Sequence, residues 1–198
     1  MKGLDTAQNC TNKAEDIKKL GYDFVCRYYN VNDKSKNLTR NEASALTNAG
    51  LSIVSVWENG YPTSDSYFSY DKGQYDGKHA FECAQTIQEE GTPIFFAVDY
   101  DAQSSKISSS IKDYFNGVID AINDLGGSYP VGVYGSGSVC SYLYNNTNVG
   151  FTWLAQSMGW SGSRDYTDWD IKQGRETTIA GLDCDSDTCN SSNVMFSA

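Results

Sequence analysis

Short apolar runs alternate with helix-like segments that close on glycine along the whole chain. This alternation limits the fold more than any other feature. Runs at 3–5, 23–28, 51–57, 93–98, 130–134, 151–155, 169–173 and 179–183 read as eight strands. Helices are expected at 12–20, 39–49, 74–90, 105–125 and 137–144, several of them ending at glycine: Gly21, Gly50, Gly91 and Gly126-Gly127. Thr39 is the expected N-cap of the second helix, with Glu42 three residues on at the capping-box position. The run at 93–98 is apolar on both faces, as in a buried parallel strand. Eight strands in this order predict an α/β fold, a closed (β/α)8 TIM-like barrel that is small and incomplete in its last βα units, where full helices are missing. The 198 residues suit a single domain spanning 1–198. An open doubly wound sheet would call for a phosphate loop, and neither GxGxxG nor GxxxxGK[S/T] occurs.

Residues at the C-terminal ends of barrel strands converge on one mouth. Asp5 ends the first expected strand, Arg27-Tyr28-Tyr29 the second, Trp57-Glu58 the third, Asp99-Tyr100-Asp101 the fourth and Tyr134 the fifth. The sixth leads into Gln156, the seventh carries Trp169, Asp170 and Gln173, and the eighth ends at Asp183 with Asp185 and Asp187 beyond. Any single Asp here also suits a turn. Asp5, Asp99 and Asp183 together, each directly after an apolar run, point to an acid-lined pocket. Strand alternation places Asp99 and Asp101 on one side and Tyr100 on the other. Paired acids suit glycosidic cleavage, in which one protonates the leaving oxygen while the other stabilises positive charge or activates water. Crowding raises one pKa and supplies the protonated partner. The 183–187 segment resembles the start of an EF-hand loop, but Thr188 stands where glycine is required and flanking helices are missing. No metal or cofactor is expected.

Composition excludes other classes. A net charge of −10 opposes binding to nucleic acid or an anionic membrane. The only histidine, His79, falls on a helix flank, which argues against Ser–His or Cys–His catalysis and a multi-histidine metal site. No apolar run approaches the ~20 residues of a membrane span. Six cysteines (10, 26, 83, 140, 184 and 189) without a CxxC pair suggest an oxidising compartment and disulfides, in which Cys184 and Cys189 could staple a loop and the pairing of the other four is open; the alternative is buried free thiols. Asn-x-Ser/Thr sites at Asn9, Asn37, Asn145 and Asn190 fit a secreted glycoprotein, in which Met1 would replace a removed leader. The 14 tyrosines, apolar in body and polar at the tip, suit a sugar cleft.

Several blocks recur in a characteristic order: Gly3-Leu4-Asp5, Phe24-Val25-x-Arg27-Tyr28, Leu38-Thr39, Phe95-Phe96-Ala97-Val98-Asp99-Tyr100-Asp101, Val131-Gly132-Val133-Tyr134-Gly135-Ser136, Trp153-Leu154-Ala155 and Gly181-Leu182-Asp183. Over nearly the whole chain this pattern resembles the glycoside-hydrolase-like domains related to family 25 lysozymes. The resemblance implies a flattened, incomplete α/β barrel and cleavage of the β-1,4 bond between N-acetylmuramic acid and N-acetylglucosamine. By motif, Asp5 matches the strand-one aspartate, Asp99 the first acid of the Asp-x-Glu motif, Asp101 its catalytic Glu, and Asp183 the strand-eight aspartate. Asp101 is one methylene shorter than the family's Glu, and Glu58 could supply a longer acid.

The expected catalytic set is therefore Asp99, Asp101, Asp5, Asp183 and Glu58, with Tyr28, Trp57, Tyr134, Gln156 and Gln173 shaping the sugar subsites. The leading functions are a secreted, monomeric glycosidase of lysozyme type acting on peptidoglycan and a carbohydrate-binding barrel without turnover, with a secreted structural or effector protein whose acidic mouth only binds a cation as a third. The first two differ in whether new reducing ends are released.

Overall fold

The structure, a computed structural model, describes residues 1–198. Its elements run β1 (Lys2–Asp5), α1 (Ala14–Lys19), β2 (Phe24–Tyr29), α2 (Arg40–Asn48), β3 (Ser52–Trp57), α3 (Tyr70–Ala84), β4 (Ile94–Ala97), α4 (Ser104–Lys106), α5 (Lys112–Asp124), β5 (Val131–Gly135), α6 (Gly137–Asn146), β6 (Phe151–Leu154), β7 (Ile171–Ile179) and β8 (Leu182–Cys189). A π-helical stretch, Ile107–Ile111, joins α4 to α5, so the long helix expected over 105–125 forms with an irregular turn inside it. The strands close in the order β1 to β8. Neighbours from β1 to β7 pair in parallel, as βα connections require. No helix joins β6 to β7. The barrel is thus reduced at its end, as the sequence predicts.

The last strand departs from expectation. Ile179 belongs to the end of β7, and β8 begins at Leu182 and runs antiparallel to both β7 and β1. Two residues separate these strands, too few for a parallel crossover. Ala180 (φ 53°) and Gly181 (φ 81°) both adopt the left-handed conformation that a tight hairpin of this kind needs. Chain direction at β8 is therefore reversed, and Asp183 falls at its start.

Alternation along each strand separates two cores. Phe24, Cys26, Val54, Val56, Phe95, Trp153, Ile171 and Cys189 pack together inside the barrel. Val25, Tyr29, Ile53, Trp57, Ile94 and Phe96 face the helical layer, within a larger cluster that includes Ile17, Leu46, Phe115 and Val118. Gly3 and Gly132 make room for the interior rings. A Cβ would lie 2.2 Å from the Phe24 ring at Gly3 and 2.6 Å from Phe95 at Gly132.

Glu42 does not complete a capping box. Thr39 caps α2 by accepting from the Glu42 N–H at 3.2 Å, but the Glu42 carboxylate turns inward. It pairs with Arg27, Nε to Oε1 at 2.7 Å, with both side chains fully buried. The same carboxylate accepts from Cys10 N (2.7 Å) and Asn9 Nδ2 (3.0 Å), while Arg27 also donates to the Thr6 carbonyl. This network fixes the segment that follows β1.

The expected disulfides do not form: all six cysteines are free. Cys184 and Cys189 lie on one strand rather than across a loop. Five residues of strand span roughly 16 Å and end on opposite faces, beyond disulfide reach.

Candidate active site

The barrel mouth holds a cavity of about 370 Å³. It is lined by the inward-facing residue at or just past the mouth end of almost every strand. Asp5, Tyr28, Glu58, Asp99, Tyr134, Gln156 and Gln173 all meet there, joined by Lys36, Trp153 and Asp185. Seven of the ten residues expected from sequence are thus brought together.

Three are not. Trp57 alternates outward from β3 and is buried against the helical layer, which leaves Val56 and Glu58 to face the mouth. Asp101 is exposed, and its Oδ1 accepts from Ser161 N at 2.8 Å. Alternation cannot carry across 99–101 because β4 ends at Ala97. Past that point each side chain finds its own partner. Asp99 enters the cavity, Tyr100 donates to Asp65 at 2.6 Å and stacks near Phe68, and Asp101 reaches the 161 loop. Asp183 is exposed beside the hairpin turn, outside the mouth cavity, and lines an adjoining groove of about 510 Å³ that shares Asp5, Tyr28 and Asp185 with it. Its N–H donates to Gln8 Oε1 at 2.8 Å and its carbonyl accepts from Thr6 Oγ1 at 2.7 Å.

Asp185 and Asp187 take the place expected for Asp183. β8 reverses at the mouth, so the residues facing the barrel are met in descending order: Asp185 at the rim and Asp187 below it, paired in register with Asp5 and Gly3. The period-two spacing Asp183-x-Asp185-x-Asp187 was the available signal, since it is the signature of a strand facing one environment.

Gln173 organises this side of the cavity. Its Nε2 donates to Asp5 Oδ2 (2.9 Å) and Asp185 Oδ2 (3.1 Å), and its Oε1 accepts from Tyr134 OH (2.8 Å) and Gln156 N (3.2 Å). Tyr28 OH donates to the other Asp5 oxygen at 3.3 Å, and Trp153 Nε1 donates to Asp187 Oδ1 at 3.1 Å. Burial pushes the Asp5 carboxyl up to about 6, against the lowering effect of the Gln173 hydrogen bond. Asp187 is more deeply buried and is raised well above the carboxylate range, by desolvation first and the Asp5 charge second. Its second oxygen, Oδ2, is buried without a hydrogen-bond partner.

Across the mouth, burial also raises Glu58 and Asp99. For Glu58 the nearby Lys36 charge works downward and the Asp99 charge upward. No set of three His, Cys, Asp or Glu side chains is arranged to ligate a metal ion. A wider surface groove of about 680 Å³ beside α4 and α6 contains one acid, Asp165, and none of the expected residues.

The fold and site together are a closed eight-stranded barrel with carboxylates gathered at its mouth. The chain belongs to the Rv2525c-like, glycoside hydrolase-like domain family, whose sequence model matches residues 15–188. FadG of Bacillus subtilis (strain 168) is 27% identical over 197 residues, covering 92% of this chain but only 34% of that protein, so the chain spans about a third of its relative. The fold is similar to that of the Mycobacterium tuberculosis Tat-secreted protein Rv2525c, crystallised with L-tartrate (TM-score 0.79, 19% identity, 96% of each chain). It is also similar to a muramidase from Trichobolus zukalii (TM-score 0.58, 15% identity, 97% of this chain and 94% of the muramidase).

Proposed function

We propose that this chain is a secreted glycoside hydrolase that cleaves β-1,4 bonds of bacterial cell-wall glycan. The observation that carries the reading is the meeting of Glu58, Asp99 and Asp5 in one cavity of sugar-binding size. Glu58 serves as the general acid: it has the longer reach, and burial, against the Lys36 charge and with the Asp99 charge, favours its protonated form. Asp99 is the carboxylate that stabilises positive charge at the anomeric carbon. Asp5, steadied by Gln173 and Asp187, orients the sugar and sets the field beneath it. Tyr28, Tyr134, Trp153 and Gln156 shape the walls. Bacterial wall glycan is favoured because a structural neighbour is a muramidase. Action outside the cell is favoured because Rv2525c is a Tat-secreted protein. No helix here is long and apolar enough to cross a membrane.

A second reading, a sugar-binding barrel without turnover, is favoured by one observation. The second acid of the motif, Asp101, is short and turned onto Ser161 N rather than into the cavity.

Incubation with purified peptidoglycan, scored for new reducing ends, separates the two. Hydrolysis by wild type should fall on the order of 10²-fold or more in Glu58→Gln and in Asp99→Asn. Asp101→Asn should keep most of the activity. Loss in Asp101→Asn with Glu58→Gln unaffected would reverse the assignment, and glycan binding with no release by wild type would favour the binding module.

A further inference from the structure

The cavity wall contains four carboxylates, Asp5, Glu58, Asp99 and Asp185, and a single cation, Lys36. Lys36 ends the short 3-10 turn Lys34–Lys36 between β2 and α2. It is half-buried, makes no ion pair and donates no side-chain hydrogen bond, although Glu58 lies close enough to feel its charge. The buried cation Arg27 pairs with Glu42, and the half-buried Lys72 pairs with Asp76. An ammonium set into an acid-lined cavity without a hydrogen-bonded counterion leaves its three donors for whatever enters.

We infer that Lys36 binds a free carboxylate on the sugar that occupies the mouth, so that the site selects an acidic glycan unit. This rests on the glycan-binding reading above and narrows its substrate. The electrostatics act in both directions. Elsewhere along the wall an anionic substituent meets the carboxylates of Asp99 or Asp185 and is repelled, whereas at Lys36 it gains a charge-assisted hydrogen bond. A carboxylate therefore has one place to sit, and the sugar that bears it is held in one orientation relative to Glu58 and Asp99. Two glycan sources present this chemistry: muramic acid whose lactyl carboxylate is free of stem peptide, and a uronic acid.

Binding titrations followed by NMR test the inference. The probes are N-acetylmuramic acid, its lactyl methylamide, N-acetylglucosamine and glucuronic acid, each measured with wild type, Lys36→Met and Lys36→Arg. The side chain has no partner in the protein, so both variants should fold, and circular dichroism checks this. Wild type should bind N-acetylmuramic acid about tenfold more tightly than its methylamide or N-acetylglucosamine. Lys36→Met should abolish that preference and Lys36→Arg should retain it. Tighter binding of glucuronic acid than of N-acetylglucosamine also supports the inference and identifies the uronic source. Equal affinity for the acid and its methylamide in wild type overturns it, as does a preference that survives in Lys36→Met. The glycosidase reading fails separately. Release of reducing ends without any acid preference overturns only the role of Lys36, and acid preference without release overturns only hydrolysis.

Discussion

Asp5 ends the first strand of the barrel, and its environment gives it an unusual titration. Burial raises its carboxyl to about 6, and Asp187 beneath it is raised further. Between about pH 4, the ordinary carboxylate value, and pH 6 the folded protein holds a proton here that the unfolded chain has released. The stabilising contribution is therefore complete below pH 4 and is lost as the pH rises through 6. A rise of this size is on the order of 3 kcal/mol. Asp5→Asn keeps the shape and removes the titration. The Tm advantage of wild type over this variant should shrink as pH rises from 4 to 6 in thermal melts, and a constant difference would contradict the shift. The same Asp5–Asp187 pairing shows a limit of motif reading. Asp183 follows an apolar pair and looks like a strand end, whereas Asp187 lies inside a polar run and does not. Only chain direction decides which of the two faces Asp5.

At the scale of elements, the buried Arg27–Glu42 pair ties β2 to α2 and holds the segment after Asp5 through Thr6, Asn9 and Cys10. Glu42→Gln leaves a fully buried guanidinium without its counter-charge and should destabilise by about 3–5 kcal/mol in chemical denaturation. The double variant Arg27→Met/Glu42→Leu should recover most of that loss, because an apolar pair of similar volume needs no desolvation of charge. If the double variant is no better than the single, the network's hydrogen bonds to the 6–10 segment outweigh the charge. Helix α2 was legible because Thr39 and Gly50 bracket an amphipathic segment. The fate of Glu42 was not, because a glutamate three residues after an N-cap reads locally as part of the cap. The buried arginine that claims it lies fifteen residues away.

At the scale of the whole molecule, closure of the barrel depends on β8, which supplies a neighbour to both β1 and β7. Stability rests on this closure and on the two cores rather than on cross-links, since every cysteine is free. Titration of the denatured protein with a thiol reagent should therefore count six thiols, and the Tm should not change on adding reductant. A lower count, or a Tm that drops on reduction, would restore the disulfides expected from composition.

The barrel class and most of the mouth were determined by the sequence alone. Apolar runs at strand spacing force burial on both faces, and parallel βα order brings Asp5, Tyr28, Glu58, Asp99, Tyr134, Gln156 and Gln173 to one end wherever the exact strand limits fall. Three things were decided only in the tertiary structure. One is the reversal at Ala180-Gly181, which exchanges Asp183 for Asp185 and Asp187. The second is the end of β4 at Ala97, which frees Asp101 to turn to Ser161. The third is the placement of Lys36 in the acidic wall. Each depends on contacts between residues far apart in the chain, and local periodicity ends where the strand or helix does.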